Sequence, residues 1–430
     1  MTAFQAPVRA ERLLESLTDE QRAVVETDAA RVRVIAPPGS GKTRVLAARV
    51  VWLVRVLGHN PSQIRVFVFT RAAAAELRAR VASVLGGEVA QLVDVTTFHG
   101  YAARLCAARL EEFGEIATDE LADAALRSLY EGPLRVPARK VPGIEAVRDA
   151  IVRREAGATL EGPAAHAVRL VLSRLQGSGA WPMWGLLPDA AALLDDVAVA
   201  ADEAVDHLLV DEAQDVTPRE SAMVRRLADA GSSRVMAVGD PRQAIFGFRG
   251  ADPAALDWIG GEAATLTRSF RFGPEIAARA NDILLGDWPA VVGCGEPGDN
   301  VEVEQDMYVW IDRLRAHLGG MTFDGELRHK TAAVLCRQHC VCETAVAMLG
   351  PGFVHIDKDR HEGDPFDAAA RAGLVPVATI HAAKGREWDV VAIPPHANFP
   401  DGSLDDLRTL FVALTRARRT LIVGALRGQA

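Results

Sequence analysis

The sequence predicts an α/β protein of two domains, the first built on a parallel sheet and carrying a helical insertion. Three observations lead there. Short apolar, β-rich runs alternate with segments of helical spacing from Val32 onward; the strand signal disappears between about Gly114 and Ala204; and the alternation resumes at His207. Such alternation favours parallel strands joined by crossover helices, with ligands gathering at the carboxyl ends of the strands. A chain of 430 residues is long enough for two cores of ordinary size.

Composition narrows the function classes without choosing one. With 49% hydrophobic and 24% charged residues, the chain has neither a disordered nor a fibrous profile. No apolar run is long enough to span a bilayer, so no membrane partner is expected. The first residues, Met1 to Arg12, lack the apolar core of a secretory signal, and five cysteines suit a reducing compartment better than a disulfide scaffold; a cytoplasmic location is expected. A net charge of -9 argues against a globally basic coat, yet leaves room for a local basic and aromatic track that follows a nucleic-acid strand.

In chain order, Leu17-Thr18-Asp19-Glu20-Gln21 reads as a helix start with Thr18 as N-cap and Gln21 in the capping-box position. The Gln21 amide also offers the donor and acceptor that an adenine edge requires. Val32, Val34 and Ile35 then form a strand running into Ala36-Pro-Pro-Gly-Ser-Gly-Lys-Thr43, after which Val45, Leu46, Val50 and Leu53 have helical spacing. Strand, loop and helix in that order make a P-loop. Gly39, Ser40 and Gly41 let consecutive backbone N–H groups turn toward a phosphate; Lys42 reaches the β/γ-phosphates and the Thr43 hydroxyl ligates Mg²⁺. Ala36 stands where the general pattern has its first glycine.

Ile64 to Phe69 reads as a buried strand, Thr70 to Ala72 as its exit, and Ala73 to Leu85 as a helix. A further strand, Val93 to Thr96, ends in Thr97-Phe98-His99-Gly100. Beyond Gly114, the segments Asp119–Tyr130, Gly143–Ala156, Ala164–Leu175 and Ala190–Ala204 have helical spacing and are separated by Gly/Pro loops. Trp181 and Trp184 are expected in a loop anchored to the core.

The strand His207–Val210 delivers Asp211-Glu212-Ala213-Gln214-Asp215 at its tip. Adjacent carboxylates are costly to hold together unless a cation is near, which Mg²⁺-nucleotide supplies. Asp211 would hold the Mg²⁺ shell and Glu212 would orient and deprotonate the attacking water. After the strand Val235–Val238, Gln243 is placed to sense a γ-phosphate, while Phe246, Phe248 and Arg249 form a stacking platform for unpaired bases.

The stretches L-T-D-E-Q, A-P-P-G-S-G-K-T, V-F-T-R-A-A-A-A-E-L, T-T-F-H-G, V-D-E-A-Q-D and V-G-D-P-R-Q-A-I-F-G-F-R-G-A resemble the successive motifs of UvrD/Rep/PcrA-type superfamily 1 DNA helicases. L-T-R-S-F-R, V-A-T-I-H-A-A-K-G-R-E-W-D and F-V-A-L-T-R-A-R continue the series in family order. The resemblance implies two RecA-like P-loop domains with ATP and Mg²⁺ bound between them. Residues 1–113 and 205–265 would form the first (1A), 114–204 the helical insertion (1B), and 266–430 the second (2A). By the same resemblance Arg271 and Arg416 are arginine fingers, Phe270 stacks on adenine in place of a tyrosine, Glu387 lies near the ribose, and Arg44 and Gln21 contact the nucleotide. Phe69, Thr70, His99, Phe246, Phe248, Arg249, Thr379 and His381 match positions that contact single-stranded DNA. Only Cys336 to Pro376 stands where long family members carry the accessory subdomain 2B, which implies a short form without it.

The expected function is ATP-dependent translocation on single-stranded DNA, or helicase action, running 3′ to 5′ and engaging single strands and single/double-strand junctions. The alternative is a nucleotide-switched, DNA-sensing ATPase subunit whose partner is a nuclease or a repair or phage-defence complex. An RNA-directed helicase is the third reading, against which the superfamily 1 motif set argues by analogy. Cys336, His339, Cys340 and Cys342 lack a C-x-x-C pair, so structural thiols are favoured over a zinc or iron–sulfur site.

Overall fold

The computed structural model describes residues 5–130, 142–251, 253–283, 288–295, 300–304, 306–319, 331–357, 364–395 and 403–424. Residues 131–141 of the expected insertion and 358–363 of the Cys336–Pro376 segment lie outside them. The chain forms two compact units: Met1–Ile35 with Lys42–Pro241 and Phe246–Ala264, and Ala36–Gly41 with Arg242–Ile245 and Thr265–Ala430.

The first unit opens with α1 (Gln5–Glu15) and α2 (Asp19–Glu26), the latter started by the capping box between Thr18 and Gln21. Then follow β1 (Arg31–Ile35), α3 (Lys42–Arg55), β2 (Ile64–Val68), α4 (Arg71–Leu85), α5 (Gly87–Leu92), β3 (Asp94–Thr97) and α6 (Phe98–Arg109). The insertion contributes β4 (Glu115–Ile116), α7 (Asp119–Arg127), α8 (Ile144–Ala156), α9 (Gly162–Gly177), β5 (Ala180–Trp181), α10 (Met183–Leu193) and α11 (Val197–Asp202). The chain returns through β6 (His207–Val210), α12 (Pro218–Gly231), β7 (Arg234–Gly239) and β8 (Glu262–Thr265).

The sheet runs β3-β2-β6-β7-β1-β8, with parallel pairing from β3 through β1. Every residue of β2 and β6 is buried, which is why both read as unbroken apolar runs rather than alternating ones. Parallel pairing brings the carboxyl ends of β2, β6, β7 and β1 into one row, so the sequence-distant Phe69, Asp211, Asp240 and P-loop all issue from the same edge of one sheet.

Three sequence expectations need correcting in the insertion. Strand structure is present: β4 pairs with β5, and Trp181 is buried in that pairing. The Trp184 segment is helix, not loop, because α10 begins at Met183 and continues through Pro188; the run expected from Ala190 to Ala204 is broken at residues 194–196 into α10 and α11. Pro188 and the flanking glycine and prolines pointed toward a loop, but α10 packs Leu186, Leu187, Ala190 and Ala191 into the core, and that burial outweighs local propensity.

The second unit contains β9 (Arg268–Ser269), α13 (Pro274–Asn281), β10 (Val292–Gly293), β11 (Asn300–Glu304), α14 (Met307–Gly319), β12 (Ala332–Cys336), α15 (His339–Leu349), β13 (Phe353–Ile356), α16 (Pro365–Arg371), β14 (Val375–Thr379), α17 (Ile380–Ala383), β15 (Trp388–Ile393), α18 (Leu404–Leu414) and β16 (Ala417–Gly424). Its sheet runs β11-β16-β15-β12-β14-β13 and all its ladders are parallel. β12 pairs directly with β14, and among the described residues between them α15, β13 and α16 serve that same sheet.

Candidate functional site

In the first unit the P-loop lysine begins α3, and its Nζ lies 3.9 Å from Glu212 Oε2. Glu212 has φ 46° and ψ 44°, a left-handed conformation outside glycine that costs on the order of 1–3 kcal/mol and collects at functional sites. Asp211 is buried, and its carboxyl is pushed up to about 7, first by burial and then by the Glu212 charge, with Lys42 and the Glu212 N–H opposing. A cation beside it favours the ionised form. Hard carboxylate and hydroxyl oxygens from Asp211 and Thr43 are donors of the kind Mg²⁺ takes, so the residue set fits the expected ion.

Gln214 is the residue that sequence reasoning passed over. Fully buried, it donates from Nε2 to Glu212 Oε2 at 2.8 Å and to Asp215 Oδ2 at 3.2 Å, while its Oε1 accepts the Asp240 N–H at 2.9 Å. The signal available in the sequence was an amide set between two acids, a pattern that needs a donor and an acceptor at one point.

The remaining expected nucleotide residues divide. Gln21 is buried with its Oε1 accepting the Thr18 N–H, so its acceptor serves the capping box. Arg44 donates to the Ser16 carbonyl at 2.8 Å.

In the second unit Gly39 and Gly41 have φ of 77° and 83°, and a Cβ at Gly39 would sit 2.6 Å from both Arg271 Cβ and Ser269 Oγ. The Phe270 N–H donates to the Gly39 carbonyl at 2.9 Å, while the Phe270 ring is exposed. Glycine is therefore required at position 39 for both its backbone angle and its space. Ser40, between the two glycines, is buried.

Arg416, also buried, donates to Gln243 Oε1 at 3.1 Å, and Lys384 Nζ donates to the Gln243 carbonyl at 2.6 Å. Arg271 donates from Nε to Glu387 Oε2 at 2.6 Å, and Arg418 holds the other Glu387 oxygen at 3.0 Å. Burial would raise the Glu387 carboxyl, but Arg271 and then Arg418 outweigh it and hold the group below the usual carboxylate range. Thr379 caps α17, and the His381 ring is pushed down chiefly by burial.

The first unit also gathers three aromatics. Phe69, just past β2, stacks on Phe246 with centroids 5.5 Å apart at 11°, and Phe248 meets Phe246 edge-on at 6.0 Å. The Arg249 guanidinium lies 5.8 Å from the Phe246 ring centre, and Phe248 is 68% exposed. Thr70 caps α4 beside this cluster's chain, and His99 on α6 pairs with Glu155 of α8 at 2.6 Å.

The described residues contain no group of three or more His, Cys, Asp or Glu arranged to hold a metal ion. Cys336 and Cys342 are buried in mutual contact, and that hydrogen bond followed by burial raises the Cys336 thiol, leaving it protonated; Cys340 faces outward. An apolar cavity of about 250 Å³ between α14, α15 and Pro394–Pro395 includes none of the expected site residues.

Comparison with known proteins gives a consistent picture. Residues 17–132 and 151–259 match the UvrD/REP helicase N-terminal domain, and residues 374–423 match the UvrD-like helicase C-terminal domain. A probable DNA helicase of Mycoplasma pneumoniae is 26% identical over 95% of this chain and 83% of its own length. DNA helicase II of Escherichia coli is 30% identical over 63% of this chain, and PcrA, an ATP-dependent DNA helicase of Leuconostoc citreum, 28% over 64%. The matched part spans only 41% and 40% of the length of those two.

Proposed function

Because the chain belongs to the UvrD/REP helicase family, we propose that it hydrolyses ATP to move along single-stranded DNA, 3′ to 5′, as a translocase or helicase. The observation that carries this reading is the first unit's sheet edge, where Lys42 approaches the strained Glu212 and Phe69, at the exit of β2, stacks on Phe246 beside Phe248. Hydrolytic and base-stacking chemistry thus share one rigid element.

In this reading the N–H groups of Gly39 to Lys42 cradle the phosphates and Lys42 neutralises their charge. Thr43 and Asp211 hold Mg²⁺, which when bound supplies charge neutralisation to the phosphates. Glu212 orients the attacking water and takes its proton. Gln243 senses the γ-phosphate, and Arg271 and Arg416 stabilise charge on the transferring group. Arg44, Phe270, Glu387 and Gln21 serve the nucleoside end. Phe69, Phe246, Phe248 and Arg249 stack on unpaired bases, with Thr70, His99, Thr379 and His381 as further strand contacts. Residues 1–113 with 205–265, 114–204 and 266–430 take the roles of 1A, 1B and 2A; the core that Ala117 to Ala180 form among themselves supports a separate insertion, while Leu186 to Ala200 pack with the first unit's sheet.

ATP turnover measured with and without a single-stranded oligonucleotide tests the reading. Strong stimulation by DNA is expected, as is displacement of streptavidin from the 5′ end of a biotinylated strand. Equal turnover with and without DNA would overturn it, and tailed RNA duplexes run in parallel exclude or establish the RNA-directed alternative.

A further inference from the structure

Glu212 is held in a backbone conformation that ordinary residues avoid, so something must fix both the backbone and the carboxylate it carries. A fully buried side chain that touches that carboxylate, beside Lys42, is Gln214. Its amide is used at both ends: Nε2 donates to Glu212 Oε2 and Asp215 Oδ2, and Oε1 accepts the N–H of Asp240 at the exit of β7. The fit is close. A methyl group added at Gly239 would stand 2.5 Å from Gln214 Oε1 and 3.0 Å from the Gln214 backbone nitrogen. Asp240 is followed three residues later by Gln243, within the turn Pro241–Gln243. One buried amide therefore ties the tip of β6 to the start of the loop that leads to Gln243.

We propose that Gln214 is a positioning residue of the hydrolytic site: it aims the Glu212 carboxylate and fixes its distance from the β7 exit loop. The proposal rests on Glu212 acting as the water-orienting base. Only an amide meets the two demands together. A carboxylate offers no donor to Glu212 and repels it, and an apolar side chain of the same length offers neither bond. Because the water must be held within a few tenths of an ångström for in-line attack, a freed Glu212 lowers turnover while leaving the phosphate-binding loop intact.

The test compares wild type, Gln214→Met, Gln214→Glu, Glu212→Gln and the double variant Glu212→Gln/Gln214→Met. It reads single-stranded-DNA-stimulated kcat and KM for ATP, equilibrium binding of a fluorescent ATP analogue, and melting temperature. Gln214→Met is expected to lower kcat about 10- to 100-fold with analogue affinity nearly unchanged, and Gln214→Glu to lower it at least as far. In the Glu212→Gln background the Gln214→Met change should cost little more, since a residue acting through Glu212 has nothing left to position. Gly239→Ala, which leaves Gln214 in place and crowds its amide, should give a smaller loss with the same split between kcat and KM. Wild-type kcat in Gln214→Met, an equal loss with and without Glu212, or a fall in analogue affinity matching the fall in kcat overturns the proposal. Should Gln214→Met fail to fold, wild-type kinetics in Gly239→Ala or in Gln214→Glu overturns it equally. Controls separate this from the reading beneath it: a wild-type protein without turnover, or Glu212→Gln with full turnover, overturns the hydrolase assignment itself.

Discussion

Lys42 and Glu212 face each other across 3.9 Å, an approach set by a P-loop and a strand tip that are far apart in sequence. On the proposed reading Lys42→Ala removes the charge that neutralises the phosphates, so ATP hydrolysis should be lost outright. Glu212→Gln keeps the shape and removes the proposed base; turnover should fall roughly 10²- to 10⁴-fold while ATP stays bound and slow to leave. Single-turnover hydrolysis and nucleotide retention on a filter check both, and wild-type turnover in Glu212→Gln would mean another group orients the water. The left-handed φ at Glu212 could not be read from sequence, because a glutamate there carries no sign of it; it belongs to a strand tip where Ala213, Gln214 and Asp215 are all buried. Glu387 carries a similar lesson. Its match to a ribose-side position was read from sequence, whereas its clasp between Arg271 and Arg418 arises from tertiary placement.

At the scale of elements, the proposed reading gives the loop after β7 two jobs. It offers Gln243 and, a few residues later, the aromatic pair that Phe69 from the β2 exit completes. Gln243→Ala should leave single-stranded DNA affinity nearly intact while reducing the stimulation of ATPase by DNA, read from turnover across a DNA titration; unchanged stimulation would show that coupling runs elsewhere. Phe248→Ala should weaken DNA binding by about 1–3 kcal/mol on the proposed reading, since this exposed ring in the turn Gly247–Arg249 is available for stacking rather than committed to core packing. Fluorescence anisotropy of a labelled oligonucleotide measures it.

β6 makes a separate prediction at its other end. His207 is buried edge-on against His59 with centroids 4.5 Å apart, and burial, then His59, Arg49 and Arg234, push its pKa down from 6.5 to about 4. The unfolded chain then binds a proton that the folded chain refuses. Stability attributable to His207 is complete above pH 6.5 and declines as pH falls toward 4, by about 2 kcal/mol at pH 5. Melting temperature should drop between pH 7 and pH 5, and His207→Leu should flatten that slope.

For the whole molecule, the decisive quantity is the net charge of -9 together with the short passage from β12 to β14. Duplex DNA is gripped by neutralising phosphates, an interaction that weakens steeply with salt, whereas single strands are also held by stacking. Dilute monomer should therefore displace streptavidin from a biotinylated single strand yet separate a tailed duplex poorly at physiological salt. Efficient unwinding by demonstrably monomeric protein would show that no partner is needed; poor unwinding rescued by a purified partner would favour the reading as a subunit of a nuclease, repair or defence complex.

The sequence by itself determined the first parallel sheet, the P-loop, the acidic strand tip and the order of the motifs, because each depends on local features: apolar runs of strand length, glycines where the backbone must turn, and acids at a strand end; the second sheet was legible only through the resemblance of its motifs. It also placed Phe246, Phe248 and Arg249 in one stretch. Tertiary structure decided the rest. The helix α10 through Pro188 forms because core burial outweighs a local preference for loop. Phe69 joins the aromatic cluster because its strand lies in the same parallel sheet as β7. Gln214 clasps Glu212 to the Asp240 N–H because β6 and β7 are neighbours, and neighbour relations between strands arise from packing of the whole sheet rather than from any short stretch of chain.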